Sequence, residues 1–163
     1  MLFTALFGAV SIPRANAAEQ SSVINFESGL SAGDTVSTVS VGSGMSGADL
    51  GSVSVFAFSP VLAGNAAMIF DATCNGQTVP VSDPSFDPNQ CSGEDWDLYQ
   101  PLQGNTLIVS EDGDSSDPDD SGHTTTYWEF GFTSWGPGEV TVDSMLLADI
   151  DIGQTGGTIT LFD

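Results

Sequence analysis

Positive charge is almost absent from this 163-residue sequence, which contains one arginine, Arg14, and no lysine. All 22 carboxylates lie beyond Arg14, and the formal net charge at pH 7 is −21. Nucleic acids and anionic membrane surfaces are bound mainly through Lys and Arg, so both classes of partner are excluded. The partners that remain are multivalent cations, neutral glycans and further copies of the chain.

A sustained helical period is also missing, and no internal repeat is detectable. Short runs of β-branched and aromatic residues alternate instead; in residues 124–132, Trp128 and Phe130 share one face while Tyr127 and Glu129 share the other. We predict a single all-β domain over residues 19–163, an antiparallel two-sheet β-sandwich of jelly-roll type. The predicted strands are 22–28, 34–41, 52–58, 66–71, 105–110, 124–132, 139–151 and 156–162.

Residues 1–18 combine an apolar run with the small-x-small pattern Ala15-Asn16-Ala17, which predicts a signal peptide and an extracellular or cell-surface location. The basic residues that normally open a signal are missing. The alternative is an apolar N-terminal donor strand that docks into a neighbouring molecule. No second hydrophobic span follows, so we expect no membrane anchor after export.

Cysteine is scarce, and the two cysteines, Cys74 and Cys91, flank a loop rich in Pro and Asp. In an exported protein this pair predicts a disulfide, which would stabilise the fold by about 3 kcal/mol. A two-cysteine metal site is the lesser alternative, because no His or third Cys is close enough in sequence to complete it.

Carboxylates without cationic partners predict a bound Ca²⁺, which takes six to eight oxygen ligands. Asp95 and Asp97 point to one side of an extended segment, and Asp71 ends an apolar strand, where capping of a turn is an equal alternative. The charge is concentrated in residues 93–97 and 111–120, within the long loops 72–103 and 111–123, and we expect the strand order to bring these two acidic stretches to one end of the sandwich. The run 111–120 is not an EF-hand, because the sixth-position Gly and closing Glu are missing; the alternative is a solvated acidic loop. The candidate metal ligands are Asp71, Asp95, Asp97, Glu111, Asp112, Asp114, Asp119 and Asp120.

Five short segments, taken in order, resemble exported bacterial β-sandwich domains of the PEP-CTERM and choice-of-anchor type. They are AMIFD at 67–71, GEDWDL at 93–98, GNTLIVSE at 104–111, PDD at 118–120 and LLADID at 146–151. The resemblance implies a surface or matrix protein without catalytic machinery, in which Asp71, Asp95, Asp97, Glu111 and Asp120 mark a loop cluster. The chain departs from it at its end, which has no Pro-Glu-Pro motif, hydrophobic span or basic tail.

Catalytic interpretations are weak. Ser121 and His123 with a nearby Asp match no known triad order, and choosing one carboxylate pair for glycoside hydrolysis would be arbitrary. Trp96, Tyr99 and Trp135 fall in or beside loops and are candidate glycan contacts, with loop anchoring as the alternative.

Together these patterns predict a non-enzymatic, exported, calcium-stabilised structural subunit of an extracellular filament or matrix. Its partner would be a second copy, joined by addition of the N-terminal strand to an open sheet. The alternative function is a carbohydrate-binding or adhesive module of the same fold.

Overall fold

In the part of the chain that the structure describes, antiparallel strands dominate and there is almost no helix, which confirms the all-β prediction. The computed structural model describes residues 4–7, 9–12, 20–27, 29–41, 51–92, 96–123, 125–132, 140–148 and 160. The described strands are β1 (Thr4–Phe7), β2 (Ala9–Ile12), β3 (Gln20–Val23), β4 (Thr38–Ser40), β5 (Ser52–Phe58), β6 (Ala67–Asp71), β7 (Asn105–Val109), β8 (Tyr127–Gly131), β9 (Thr141–Val142) and β10 (Met145–Ala148). Short 3₁₀ helices include Pro88–Gln90 and Trp96–Leu98.

The described strands form three hydrogen-bonded sheets, with strand orders β10-β1-β7-β6, β3-β2-β9 and β4-β5-β8. The first two sheets share one antiparallel register: Phe7 pairs with Met145 at the end of β1, and Val10 pairs with Val142 in β2. The first two sheets are therefore successive parts of one ladder, and β4-β5-β8 stands apart from it.

The main core lies where β5 meets β6 and β7. In β5 the inward residues Val53 and Val55 are buried and the outward Ser54 and Phe56 are exposed, as expected of a half-buried strand. In contrast, β6 and β7 are buried on both faces. One face adds Ala67, Ile69, Leu107 and Val109 to the main core, and the other forms a second cluster of Met68, Phe70, Ala72, Leu98 and Ile108.

One side chain joins the two layers at a corner. The backbone of residues 33–36 pairs with β6, and residues 38–40 then pair with β5. At the crossing, the Asn65 carboxamide oxygen accepts from the N–H groups of Ala57 (2.8 Å) and Ala67 (3.0 Å). Its nitrogen donates to the carbonyls of Val36 (2.7 Å) and Val55 (3.1 Å). The Asn65 side chain therefore forms hydrogen bonds with backbone groups that lack a strand partner where the strand pairing changes from β6 to β5.

The observed strands differ from the predicted ones mainly near the start of the chain. The strand 52–58 has the predicted bounds, and 66–71 and 105–110 are each one residue shorter. Within the predicted strand 139–151, the described residues 140–148 form two strands, β9 and β10. Within the predicted signal peptide, β1 and β2 pair with strands of their own chain. The predicted strand 156–162 lies outside the described residues apart from Thr160.

Candidate functional site

The predicted disulfide between Cys74 and Cys91 is present and lies at the centre of a small apolar cluster. The Tyr99 ring packs on Phe86 with ring centroids 4.8 Å apart, and the Tyr99 hydroxyl donates to the Val79 carbonyl at 2.7 Å. Tyr99 is 5% exposed. Both faces of the ring are buried, so it cannot stack on a sugar, and Tyr99 fits the alternative interpretation, loop anchoring.

Asp71 is engaged in a local turn. Its Oδ1 accepts from the Thr73 N–H at 2.9 Å and from the Thr73 hydroxyl at 2.6 Å, and its Oδ2 accepts from the Asn75 N–H at 2.9 Å. These bonds match the turn-capping alternative, because both carboxylate oxygens serve the residues that follow β6.

The other candidates in this loop lie at the short 3₁₀ helix Trp96–Leu98. Leu98 is buried against the outer face of β6 and β7, and Asp97 is exposed. Trp96 is 49% exposed. Asp95 and Trp135 lie outside the described residues, so the predicted Asp95–Asp97 pair and the predicted Trp135 contact stay predictions.

Residues 111–123, here called the acidic loop, contain successive turns capped by Asp side chains. Asp112 Oδ1 accepts from the Asp114 N–H at 2.7 Å, and Asp114 Oδ1 accepts from the Ser116 hydroxyl at 2.7 Å and the Ser116 N–H at 2.8 Å. The two hydrogen bonds from Ser116 lower the pKa of the Asp114 carboxyl. All residues from Glu111 to Asp117 are exposed, so these carboxylates face water.

The acidic loop is tied to the fold at its base and at one point along its length. Ser110 and Asp120 form an isolated antiparallel bridge, and the Glu111 N–H donates to the Asp119 carbonyl at 3.3 Å. Further along, the backbone of Ser115 lies against Gly33, whose φ is +87°. A Cβ at Gly33 would collide with the Ser115 carbonyl, so this approach requires glycine.

The loop 72–103 leaves the β6–β7 pair at one end and the loop 111–123 leaves it at the other, against the expectation that the strand order brings them to one end. Because Asp71 pairs with Asn105 and Ala67 pairs with Val109, the loop before β7 and the loop after it leave in opposite directions. Four residue rises of about 3.3 Å separate them by about 13 Å. Among the described residues, no three His, Cys, Asp or Glu side chains converge to hold a metal ion. One ion cannot join Asp71 to Glu111.

A concavity of about 330 Å³ lies at the acidic end, lined by Val61, Leu62, Glu111, Asp112 and His123. Ser121 is fully buried nearby in sequence, and its hydroxyl has no hydrogen-bond partner. His123 is exposed. The hydroxyl and the imidazole therefore do not form the hydrogen-bonded pair that an activated serine requires.

Two structural residues were missed by the sequence reasoning at the disulfide end. Glu27 Oε1 accepts from the Asn105 N–H at 2.9 Å, and its carboxylate lies over Gly104, which has a φ of +66°. The Asn105 carboxamide donates to the carbonyls of Phe26 (3.1 Å) and Leu30 (3.0 Å). The Gly-Asn pair before a strand was the available signal for a turn, but its partner is 78 residues away in sequence.

Comparison with protein-family models, with curated proteins and with solved structures found no match for this chain. The resemblance to PEP-CTERM and choice-of-anchor domains therefore stays a prediction. In the part of the chain that the structure describes, no helix is long and apolar enough to cross a membrane.

Proposed function

We propose that the protein is a non-enzymatic, exported structural subunit of an extracellular filament or matrix, with a two-sheet, jelly-roll-like sandwich fold. Residues 1–18 would stay on the exported chain as the donor strand, not be removed as a signal peptide, and the N-terminal strand of one copy would enter the sheet of the next. The position of β1 carries this proposal.

β1 occupies an interior position in the first sheet although it comes from the start of the sequence. It lies between β10, which it pairs with from Thr4↔Ala148 to Phe7↔Met145, and β7, where Ala5 pairs with Leu107. Withdrawing β1 would leave a slot with two unpaired strand edges. Unpaired edges strongly favour the addition of another strand.

The slot makes the same backbone pairs with β1 of its own chain or with β1 of a second copy. Exchange of an identical element is therefore a low-cost route to assembly. A head-to-tail exchange uses two different surfaces of each copy, so it extends into an open fibre unless the rotation closes a ring. Each copy would donate its β1 to one neighbour and accept β1 from another, and repetition of this step would produce a filament.

Calcium is proposed as the counter-ion of the assembly. The support is charge: a formal net charge of −21 with one basic residue leaves carboxylate repulsion without internal compensation. Because the two acidic ends are separate, each would bind its own ions. The proposed ligands at one end include Asp95 and Asp97, and those at the other include Glu111 and Asp112.

The filament proposal is tested by light scattering after size-exclusion chromatography and by electron microscopy of the purified protein, with and without millimolar calcium. We expect oligomers and fibres that Leu6→Pro abolishes, since proline in β1 removes a ladder hydrogen bond. Leu6→Val, which keeps the backbone N–H, is the matched control. A protein that stays monomeric under every condition contradicts the proposal.

The calcium proposal is tested by thermal melting in calcium, in chelator, and in NaCl of matched ionic strength. An ion that binds only the folded state raises its stability with concentration. We expect chelation to lower the melting temperature, Asp95→Asn with Asp97→Asn to remove the part of the response that belongs to their end, and Glu111→Gln with Asp112→Asn to remove the other part. Equal melting curves in calcium and in matched NaCl would leave only diffuse screening.

A further inference from the structure

The outer face of the sheet β4-β5-β8 carries aromatic rings and hydroxyl groups but little charge. Its inward residues, Val39, Val53, Val55 and Ala57, belong to the main core. The register places Thr38 beside Ser54, Phe56 beside Glu129, and Phe58 beside Tyr127. Outward positions alternate with these inward residues along each strand. The outward positions are Thr38, Ser40, Ser52, Ser54, Phe56, Phe58, Tyr127, Glu129 and Gly131.

Two of the aromatic rings on this face are open to solvent. Tyr127 is 50% exposed and Phe56 is 37% exposed. Phe58 and Tyr127 stack across the strands, with ring centroids 5.2 Å apart and planes inclined by 15°. Aromatic surface left in water is unfavourable, and a group of neighbouring rings on one face is a feature of interaction sites.

The charge on this face argues against an acidic ligand. Glu129 is the one carboxylate among its described outward residues, and no described cation is present there. An acidic ligand would be repelled by the chain's net charge of −21, and nothing on the face would pair with it. A neutral ligand with apolar C–H faces and many hydroxyl groups fits both parts of the surface: rings to stack on, and Ser, Thr and Glu oxygens to bond.

We propose that this face binds a neutral polysaccharide, with Phe56 and Tyr127 stacking on the sugar rings and Glu129 accepting hydrogen bonds from sugar hydroxyls. Stacking supplies the affinity, because exposed hydroxyl contacts exchange with water at little net gain. This binding uses neither β1 nor the loops that contain Trp96. It therefore stands or falls independently of strand addition, and would join a structural subunit to the glycans around it.

Binding is tested by calorimetry and affinity electrophoresis of the full chain with neutral oligosaccharide and polysaccharide probes: β-1,4-glucan, β-1,3-glucan, mannan and galactan. Polygalacturonate is the acidic probe. We expect at least one neutral probe to bind and polygalacturonate not to bind. Tyr127→Ala and Phe56→Ala should each weaken binding at least about tenfold, and Trp96→Ala, an equally exposed ring elsewhere, should leave it unchanged.

Phe56→Leu separates folding from recognition, since it keeps the apolar volume and removes the aromatic face. We expect it to keep the melting temperature of the parent protein and to lose affinity. The proposal is overturned if no neutral probe binds, or if Trp96→Ala removes the binding while Tyr127→Ala does not. It is also overturned if sedimentation shows that the parent protein self-associates through Tyr127, since a second copy would then occupy the face.

Discussion

The two ends of the β6–β7 pair carry loops that are held in different ways. The loop 72–104 is closed by a disulfide and buries Leu98 and Tyr99. The loop 110–126 is closed by one backbone bridge and is held along its length by local Asp-capped turns. The first loop covers the outer face of β6 and β7, and so belongs to the core. The second leaves its carboxylates from Glu111 to Asp117 in water, where charge costs least. Acidity alone therefore does not define a metal site, because one acidic loop covers the core and the other presents its carboxylates to water.

The largest expected effect is at Leu98, which attaches the disulfide loop to the sheet. Leu98 is 2% exposed and contacts the cluster on β6 and β7. Leu98→Ala should lower the free energy of unfolding by about 3 kcal/mol, because it removes buried methyl groups and leaves a cavity. Leu102, in the same loop, is 91% exposed, so Leu102→Ala should change it by less than about 0.5 kcal/mol. Urea unfolding measures both. Equal effects would mean that the loop is not part of the core.

The disulfide gives the next effect. Replacing Cys74 and Cys91 with Ala should destabilise the protein by about 3 kcal/mol in the chain-entropy model, since the unfolded loop regains its freedom. Adding reductant to the parent protein should give a comparable loss, and adding it to the double variant should have no effect. A variant as stable as the parent would show that burial of Leu98 and Tyr99 is sufficient to hold this end.

Gly33 tests the other end. Gly33→Ala should cost about 2 kcal/mol, since the new methyl group meets the Ser115 carbonyl in addition to the strain of a positive φ. Gly29 has a similar φ of +74° but open space around its Cβ position, so Gly29→Ala measures the strain alone. The difference between the two losses is the contribution of the contact between the acidic loop and residues 33–36. Equal losses would mean that the loop does not rest there in solution.

The smallest expected effect is the response of the loops to acid. Hydrogen bonds lower the pKa of Asp114, through the Ser116 side chain, and likewise of Asp83, through the Ser85 side chain. A carboxyl with a lowered folded-state pKa contributes stability above its ordinary pKa near 3.8, and this stability is lost as pH falls through the lowered value. In a carbon-detected NMR titration, Asp114 should titrate below 3.8, and Ser116→Ala should return it toward that value. No change in Ser116→Ala would contradict the assigned cause.

Much of the fold could be predicted from local patterns. The alternation of Val53 and Val55 with polar neighbours gave β5 its bounds, and the two cysteines gave the disulfide. Long-range pairing could not be predicted in this way: the bonds of Asn65 to four backbone groups and of Glu27 to Asn105 depend on which segments meet in space. The shared end expected for the acidic loops failed for the same reason, because only strand pairing decides the direction in which each loop leaves.

The N-terminal segment shows the same limit. An apolar run before Pro13 matches an export signal and a sheet strand equally well, since both need only contiguous apolar residues. The pairing partners of β1, in residues 105–109 and 145–148, are distant in sequence. Among the outward residues of β8, Tyr127 was assigned its own face by alternation, but the neighbouring Phe56 and Phe58 came together with it only through strand pairing.

Cross-linking between two singly substituted proteins tests the central claim, that β1 links one copy to the next, most directly. Ala5 pairs with Leu147, and Cα atoms paired across antiparallel strands lie about 4.5–5.5 Å apart, which a disulfide spans. Ala5→Cys and Leu147→Cys proteins are mixed, refolded together and oxidised, and cross-linked peptides are mapped by mass spectrometry. Ala5→Cys mixed with Ser54→Cys is the control, because Ser54 lies in the other sheet. The account predicts a 5–147 cross-link between two chains in the first mixture only. No such link, together with a purely intramolecular link in the Ala5→Cys/Leu147→Cys double variant, would contradict it.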